Sequence, residues 1–160
     1  MTSEQAQTTS DTITAFMAAE HARISGLWEQ LVAAFNAEDF NRMHRLAGDL
    51  IAALKRHIHA EEQILFPAIE KRGGEEAARA MRLEHHQIEQ VAHGLEKLLT
   101  VQELWTAIQA IEGEKTDPGA LLRSHERKEQ DVLYPLADRL LGADEARAVI
   151  GRMKTEVDKA

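Results

Sequence analysis

The stretch HIHAEEQILFPAIE (57–70) has a near copy further along the chain, HERKEQDVLYPLAD (125–138), and this pair decides the fold. Each copy opens on His and carries Glu four residues later: His57 with Glu61, His125 with Glu129. Each also places Pro ten residues past its His, at Pro67 and Pro135. Four residues is about one helical turn, so each His and Glu share a face, roughly 6 Å apart at their attachment points. A second pair of copies precedes these two. MAAEHARISGL (17–27) and MRLEHHQIEQV (81–91) share Met, Glu, His and Ile at matching places. The chain therefore reads as two similar helix pairs, with a pseudo-twofold site between them.

Apolar residues around these motifs recur at steps of three and four, which puts each set on one helix face. The first stripe is Ile13, Met17, His21, Ile24, Trp28, Leu31, Phe35. The second is Met43, Leu46, Leu50, Leu54, His57, Glu61, Ile64, Ala68. The third is Met81, His85, Ile88, Ala92, Leu95, Leu99, and the fourth is Leu122, His125, Glu129, Val132, Leu136, Leu140. Ser10 and Asp11 are candidate caps for a helix ending near Asn36. Asp39 caps a second, from Phe40 to about Lys71, and Gly73-Gly74 breaks the chain before a third, from Glu75 to about Leu99. Thr100 with Glu103 has the form of a capping box for a short helix over 101–112, followed by a loop at 113–119. Asp117 and Pro118 open a fourth long helix that Gly142 ends, and 144–158 forms a fifth, with Ala146, Val149, Ile150, Met153 and Val157 on one side. No strand signal is visible. The predicted fold is all-α: an antiparallel up-down four-helix bundle with an additional short C-terminal helix, over 11–160, preceded by a disordered tail at 1–10.

Composition narrows the function. The 160 residues fit one domain, and 44% apolar content suffices for a core. With no cysteine, disulfides, zinc-thiolate sites and thiol nucleophiles are excluded. A net charge of −8 argues against nucleic acid or an anionic membrane as partner. The polar start lacks a secretory pattern and no run approaches a membrane span, so a cytoplasmic protein, monomer or homodimer, is expected. Histidine stands out, at eight residues.

Each stripe is interrupted by His, with or without Glu, where a bundle core should be apolar. An unpaired buried ion costs several kcal/mol, so six such groups at one height require a common partner. Heights agree: His21 lies about 22 Å from the end of its helix and His57 about 25 Å from the start of the next. Four imidazoles and two carboxylates can hold two divalent cations, whose charge the carboxylates and a hydroxide nearly cancel. A polar network without metal is the plainer alternative. His86, in a register shifted by one, is an alternative to His85. His44, His59 and His93 read as surface residues or as lying behind the ligands, and Glu20 and Glu62 as solvated or lying behind the ligands. Trp28 and Trp105 read as packing residues.

The set His21, His57-x-x-x-Glu61, His85, His125-x-x-x-Glu129, with Glu-His at 20–21 and 84–85 and Leu-Phe-Pro (65–67) echoed by Leu-Tyr-Pro (133–135), resembles the hemerythrin-like, or HHE cation-binding, domain. The resemblance spans nearly all of 12–141. It implies a non-heme pair of Fe ions with an oxo or hydroxo bridge, a ligand set that Mn or Zn also accepts. By that resemblance Glu61 and Glu129 bridge and the four His are terminal ligands; helix adjacency suggests pairing His21 with His125 and His57 with His85. The oxygen carriers of marine worms have a second His where this chain has Glu89, and an Asp where it has Gln130. The chain is thus nearer the bacterial four-His, two-Glu branch, with Glu89 a candidate extra ligand. A small oxidant (O2, NO or peroxide) is the implied partner, bound, sensed or scavenged rather than transported, in a dry pocket of Ile24, Leu54, Ile88 and Val132. Peroxidase-, catalase- or oxidase-like turnover is compatible with this. Iron handling or iron–sulfur centre repair, and a regulatory bundle stabilised by metal, are the alternatives.

Overall fold

The computed structural model describes residues 11–97, 103 and 118–159. Its elements are α1 (Ile13–Asn36), α2 (Phe40–Ala60), a π-helical turn (Glu61–Leu65), α3 (Phe66–Glu70), α4 (Glu75–Glu96), α5 (Pro118–Lys128), a second π-helical turn (Glu129–Leu133) and α6 (Tyr134–Val157). Among the described residues there is no strand. The elements make four rods: α1; α2 to α3; α4; and α5 with the first part of α6. The first and third rods each pack against both the second and the fourth, as an antiparallel bundle requires. The expected tail (1–10), the Thr100 cap, the helix at 101–112, the Asp117 cap and Leu99 fall at or among positions outside the described residues, apart from Glu103.

The start of α1 corrects the sequence reading. Thr12, not Ser10 or Asp11, is the N-cap, its hydroxyl accepting from Ala15 N at 3.1 Å. Asp138 of α6 supplies the rest: Oδ1 accepts from Ile13 N (2.7 Å), and Oδ2 from Thr14 N (3.1 Å) and Thr14 Oγ1 (2.6 Å). A carboxylate from 125 residues away thus fills the donors that a helix start leaves open. Asp138→Ala is expected to cost about 1.5–3 kcal/mol, read as a lowered urea midpoint with unchanged m-value. Asp39 caps α2 as expected, accepting from Arg42 N at 3.1 Å.

Two glycine sites set the turns. A Cβ on Gly74 would stand 2.9 Å from the Ile69 carbonyl oxygen, so the turn into α4 tolerates no side chain there. Gly142 has φ 74° and ψ 171°, which break the run of α6 and fold its last part back. On that arm Ala146, Val149, Ile150, Met153 and Val157 are all buried, joining Ile13, Met17, Phe66, Ile69 and Ala137 in one apolar cluster. A second cluster, including Ile24, Leu31, Phe35, Met43, Leu50 and Ala53, fills the other end. His21 falls between Met17 and Ile24, and His57 between Ala53 and Ala60. The polar layer therefore lies between two apolar plugs.

The π-helical turns are the main departure from the expected stripes. Each adds a residue to one turn, with Phe66 N bonded to Glu61 O, and Tyr134 N to Glu129 O. The inward face then advances 61, 65, 69 where 61, 64, 68 was expected, with Ala68 still buried beside Ile69, and 129, 133, 137, 141 instead of 129, 132, 136, 140. Leu65, Ile69, Leu133, Ala137 and Leu141 are accordingly buried, whereas Val132 is 62% exposed. Val132 does not line a pocket. Pro67 and Pro135 sit in the first turn of the helix that resumes, where a missing N–H forfeits least.

Candidate metal centre

All six expected donors meet in the polar layer. His21 comes from α1, His57 from α2, Glu61 from the first π-turn, His85 from α4, His125 from α5 and Glu129 from the second π-turn. All six are buried, and Glu61, His85 and Glu129 are 0% exposed. The Nε2 atoms face the carboxylates: His85 to Glu61 Oε2 at 3.0 Å, His57 to Glu61 Oε2 at 3.5 Å, His125 to Glu129 Oε1 at 3.0 Å, His21 to Glu129 Oε1 at 3.4 Å, and His85 to Glu129 Oε2 at 3.8 Å. Two donors, each about 2.1 Å from one ion and at right angles, stand about 3.0 Å apart, so these separations suit a shared ion.

The donors fall into two groups. Glu61, His85, His125 and Glu129 form one, and His21, His57 and Glu129 the other. Glu129 belongs to both. The rings pair accordingly, with centroids 5.0 Å apart for His21 and His57 and 4.8 Å for His85 and His125. These groups pair the histidines differently from the expected His21 with His125 and His57 with His85, although each expected pair meets at one carboxylate, His57 and His85 at Glu61 and His21 and His125 at Glu129. The internal repeat is compatible with either arrangement, so the choice required coordinates. Glu89 joins neither group and is exposed. The face of α4 that turns inward runs through Met81, His85, Ile88 and Ala92, and Glu89 stands beside it on the solvent side. His86 and His59 are exposed; His86 meets Gln90, and His59 meets Glu156.

A purely polar network leaves this layer unsatisfied. His57 Nδ1, Glu61 Oε2, His85 Nε2, both ring nitrogens of His125, and both oxygens of Glu129 are buried without a hydrogen-bond partner. Such orphans cost about 1–3 kcal/mol each. Five of these seven atoms, the carboxylate oxygens and the Nε2 atoms of His85 and His125, point toward one another, as lone pairs around a cation do, and the donor set of imidazole and carboxylate fits a divalent or trivalent transition metal.

The electrostatics of the protein atoms alone reinforce this. Burial drives the His57 imidazole down to about 3. Burial also acts to lower His85, but the Glu129 and Glu61 carboxylates beside it outweigh that and raise it to about 10. Glu61 is pushed well above the usual carboxylate range by burial and by the charge of Glu129. Burial opposes ionisation of Glu129 too, yet the His125, His21 and His85 imidazoles that face it hold it well below that range. Protons thus occupy the layer where cations would otherwise balance it.

Of the groups behind the donors, sequence reasoning offered Glu62 as one of two readings and missed Glu84, Gln130, Glu126 and Tyr134. Glu62 Oε1 lies 2.9 Å from His85 Nδ1, Glu84 Oε1 lies 3.6 Å from His125 Nδ1, and the Gln130 amide lies 3.1 Å from His21 Nδ1. The two within hydrogen-bond distance, Glu62 and Gln130, fix which nitrogen of His85 and of His21 faces inward. Glu126 puts a buried, unpaired Oε1 near His125, and burial raises its carboxyl. Fully buried Tyr134 donates to Glu61 Oε1 at 2.5 Å and stands 3.1 Å from His21 Nε2. The Leu-Phe-Pro and Leu-Tyr-Pro echo marked the position of Tyr134, but straight helical periodicity turned it away from the core.

A four-rod bundle with a buried ring of imidazoles and carboxylates defines a cation-binding helical protein. Comparison with known families agrees: the model of the hemerythrin HHE cation-binding domain matches residues 12–117. The chain belongs to that family. The matched span ends before His125 and Glu129, which the fold brings to the same layer from α5 and the second π-turn. No curated protein and no solved structure matches the chain significantly. Among the described residues no helix is long and apolar enough to cross a membrane.

Proposed function

We propose that the chain binds two iron ions through His21, His57, Glu61, His85, His125 and Glu129, and uses them to bind, sense or scavenge O2, NO or peroxide. The single observation carrying this reading is the sharing of Glu129 between two donor groups inside one dry layer. A shared carboxylate holds two cations within a few Å of each other. When bound, such a pair can exchange two electrons with a small ligand. The chain's own residues would do the rest. Glu62 and Gln130 orient the His85 and His21 imidazoles. Ile24 and Ile88, with half-buried Leu54, keep bulk water from the layer.

The test begins with elemental analysis of the purified full chain, where close to two irons per chain are expected. The reduced, air-free protein is then exposed in turn to O2, NO and peroxide and followed by absorption. A new, ligand-specific spectrum supports the reading. Spectra that do not respond to any of the three, with iron passing readily to a weak chelator, would overturn it in favour of iron handling.

His59→Ala serves as the control for helix register. His59 is two residues from His57 but 57% exposed at its side chain. The variant should keep its full metal content, with stability within about 0.5 kcal/mol of the parent. Loss of metal in this variant would mean that α2 presents the wrong face.

A further inference from the structure

The internal repeat contains one chemical asymmetry at the centre. Phe66 and Tyr134 occupy equivalent places, each just past a π-turn. Phe66 stacks on His85 with centroids 5.5 Å apart, and Tyr134 lies against His21 at 5.6 Å. The two rings differ by one oxygen. The donor groups differ in the complementary sense: the His85 group has four members and the His21 group three.

The Tyr134 oxygen stands where the missing member would be. It is 3.1 Å from His21 Nε2, a spacing like that among the recognised donors, and 2.5 Å from Glu61 Oε1. It is wholly buried, so water does not compete for it. Its bond also holds one oxygen of Glu61, leaving Oε2 to face His57 and His85. We propose that Tyr134 is a seventh donor of the centre, its phenol oxygen binding the cation held by His21 and His57. This rests on the reading that the layer holds two cations. On binding, the Tyr134 O–H bond breaks and its proton passes to the buffer; no electron moves. The two metal positions are then chemically distinct, one with only imidazole and carboxylate donors and one with a phenolate.

The test uses the full chain loaded with ferric ion, its iron counted by elemental analysis. Tyr134 is the single tyrosine of the chain, so a tyrosine signal has one source. The expected result is a visible phenolate-to-iron charge-transfer band with resonance-enhanced tyrosine ring modes. Both should vanish in Tyr134→Phe. That variant should also bind its second zinc ion at least about tenfold more weakly, with the first unchanged. Phe66 shows that the fold accepts phenylalanine at the equivalent place, and the parent spectrum decides even without the variant. Two irons per chain with no phenolate band would overturn the assignment of Tyr134 and leave the two-cation reading standing. A chain that takes up no metal would overturn both.

Discussion

Stripping the cations from the chain with a strong chelator is expected to lower its thermal unfolding midpoint by roughly 8–16 °C. A ligand present at about 1,000 times its Kd stabilises the folded state by about 4.1 kcal/mol. In a domain of this size each kcal/mol moves the midpoint by about 2–4 °C. The cause lies in the polar layer. Two carboxylates and four imidazoles are held out of water between two apolar plugs, and seven of their atoms are buried without a hydrogen-bond partner. With cations, the inward-facing ones among them, the carboxylate oxygens and the Nε2 atoms of His85 and His125, would become ligands. Without cations, protons offset part of that cost, and Glu61 and His85 are both shifted upward. Calorimetry with and without metal at fixed concentration gives the answer. An unchanged midpoint would mean that the layer is satisfied as a polar network and that the orphaned atoms find partners by local adjustment.

How much of this was legible beforehand depended on the helical period. Up to His57 and Glu61, and again up to His125 and Glu129, simple steps of three and four led to the buried face. The repeated motifs fixed the donors because a buried His or Glu is costly enough to stand out from an apolar stripe. Past each Glu the π-turn inserts one residue, and the same arithmetic then selects Ile64 and Val132 in place of Leu65 and Leu133. A π-turn depends on tertiary packing and leaves no periodic trace of its own. Tyr134 was hidden for this reason, although the Leu-Phe-Pro and Leu-Tyr-Pro echo pointed to it. Asp138 was hidden for another: its partner is the start of a helix 125 residues away, which no local pattern reports. Glu89 misled because one turn after a ligand is the obvious place for another, yet α4 is rotated just enough to leave it in solvent.

Glu129→Ala should empty both metal positions, whereas Glu61→Ala should weaken chiefly the one formed with His85 and His125. Glu129 is the member common to both donor groups, and Glu61 belongs to one, its other oxygen being engaged by Tyr134. Removing the shared carboxylate is expected to weaken each ion's binding by more than about 100-fold, or about 2.7 kcal/mol per ion. The metal-free chains should differ as well. Glu129 is held ionised by His125, His21 and His85, so its loss breaks a buried charged cluster and costs about 3–5 kcal/mol. Glu61 is held protonated by burial and by the charge of Glu129, so its removal takes away a neutral group and costs less. The order of stability without metal is therefore parent, then Glu61→Ala, then Glu129→Ala. The order of metal content is the same, near two, one and zero. Elemental analysis and urea titration of the three chains test both orders. Equal metal content in the two variants would show that the carboxylates bridge symmetrically, so that Glu129 has no special place between the two histidine pairs.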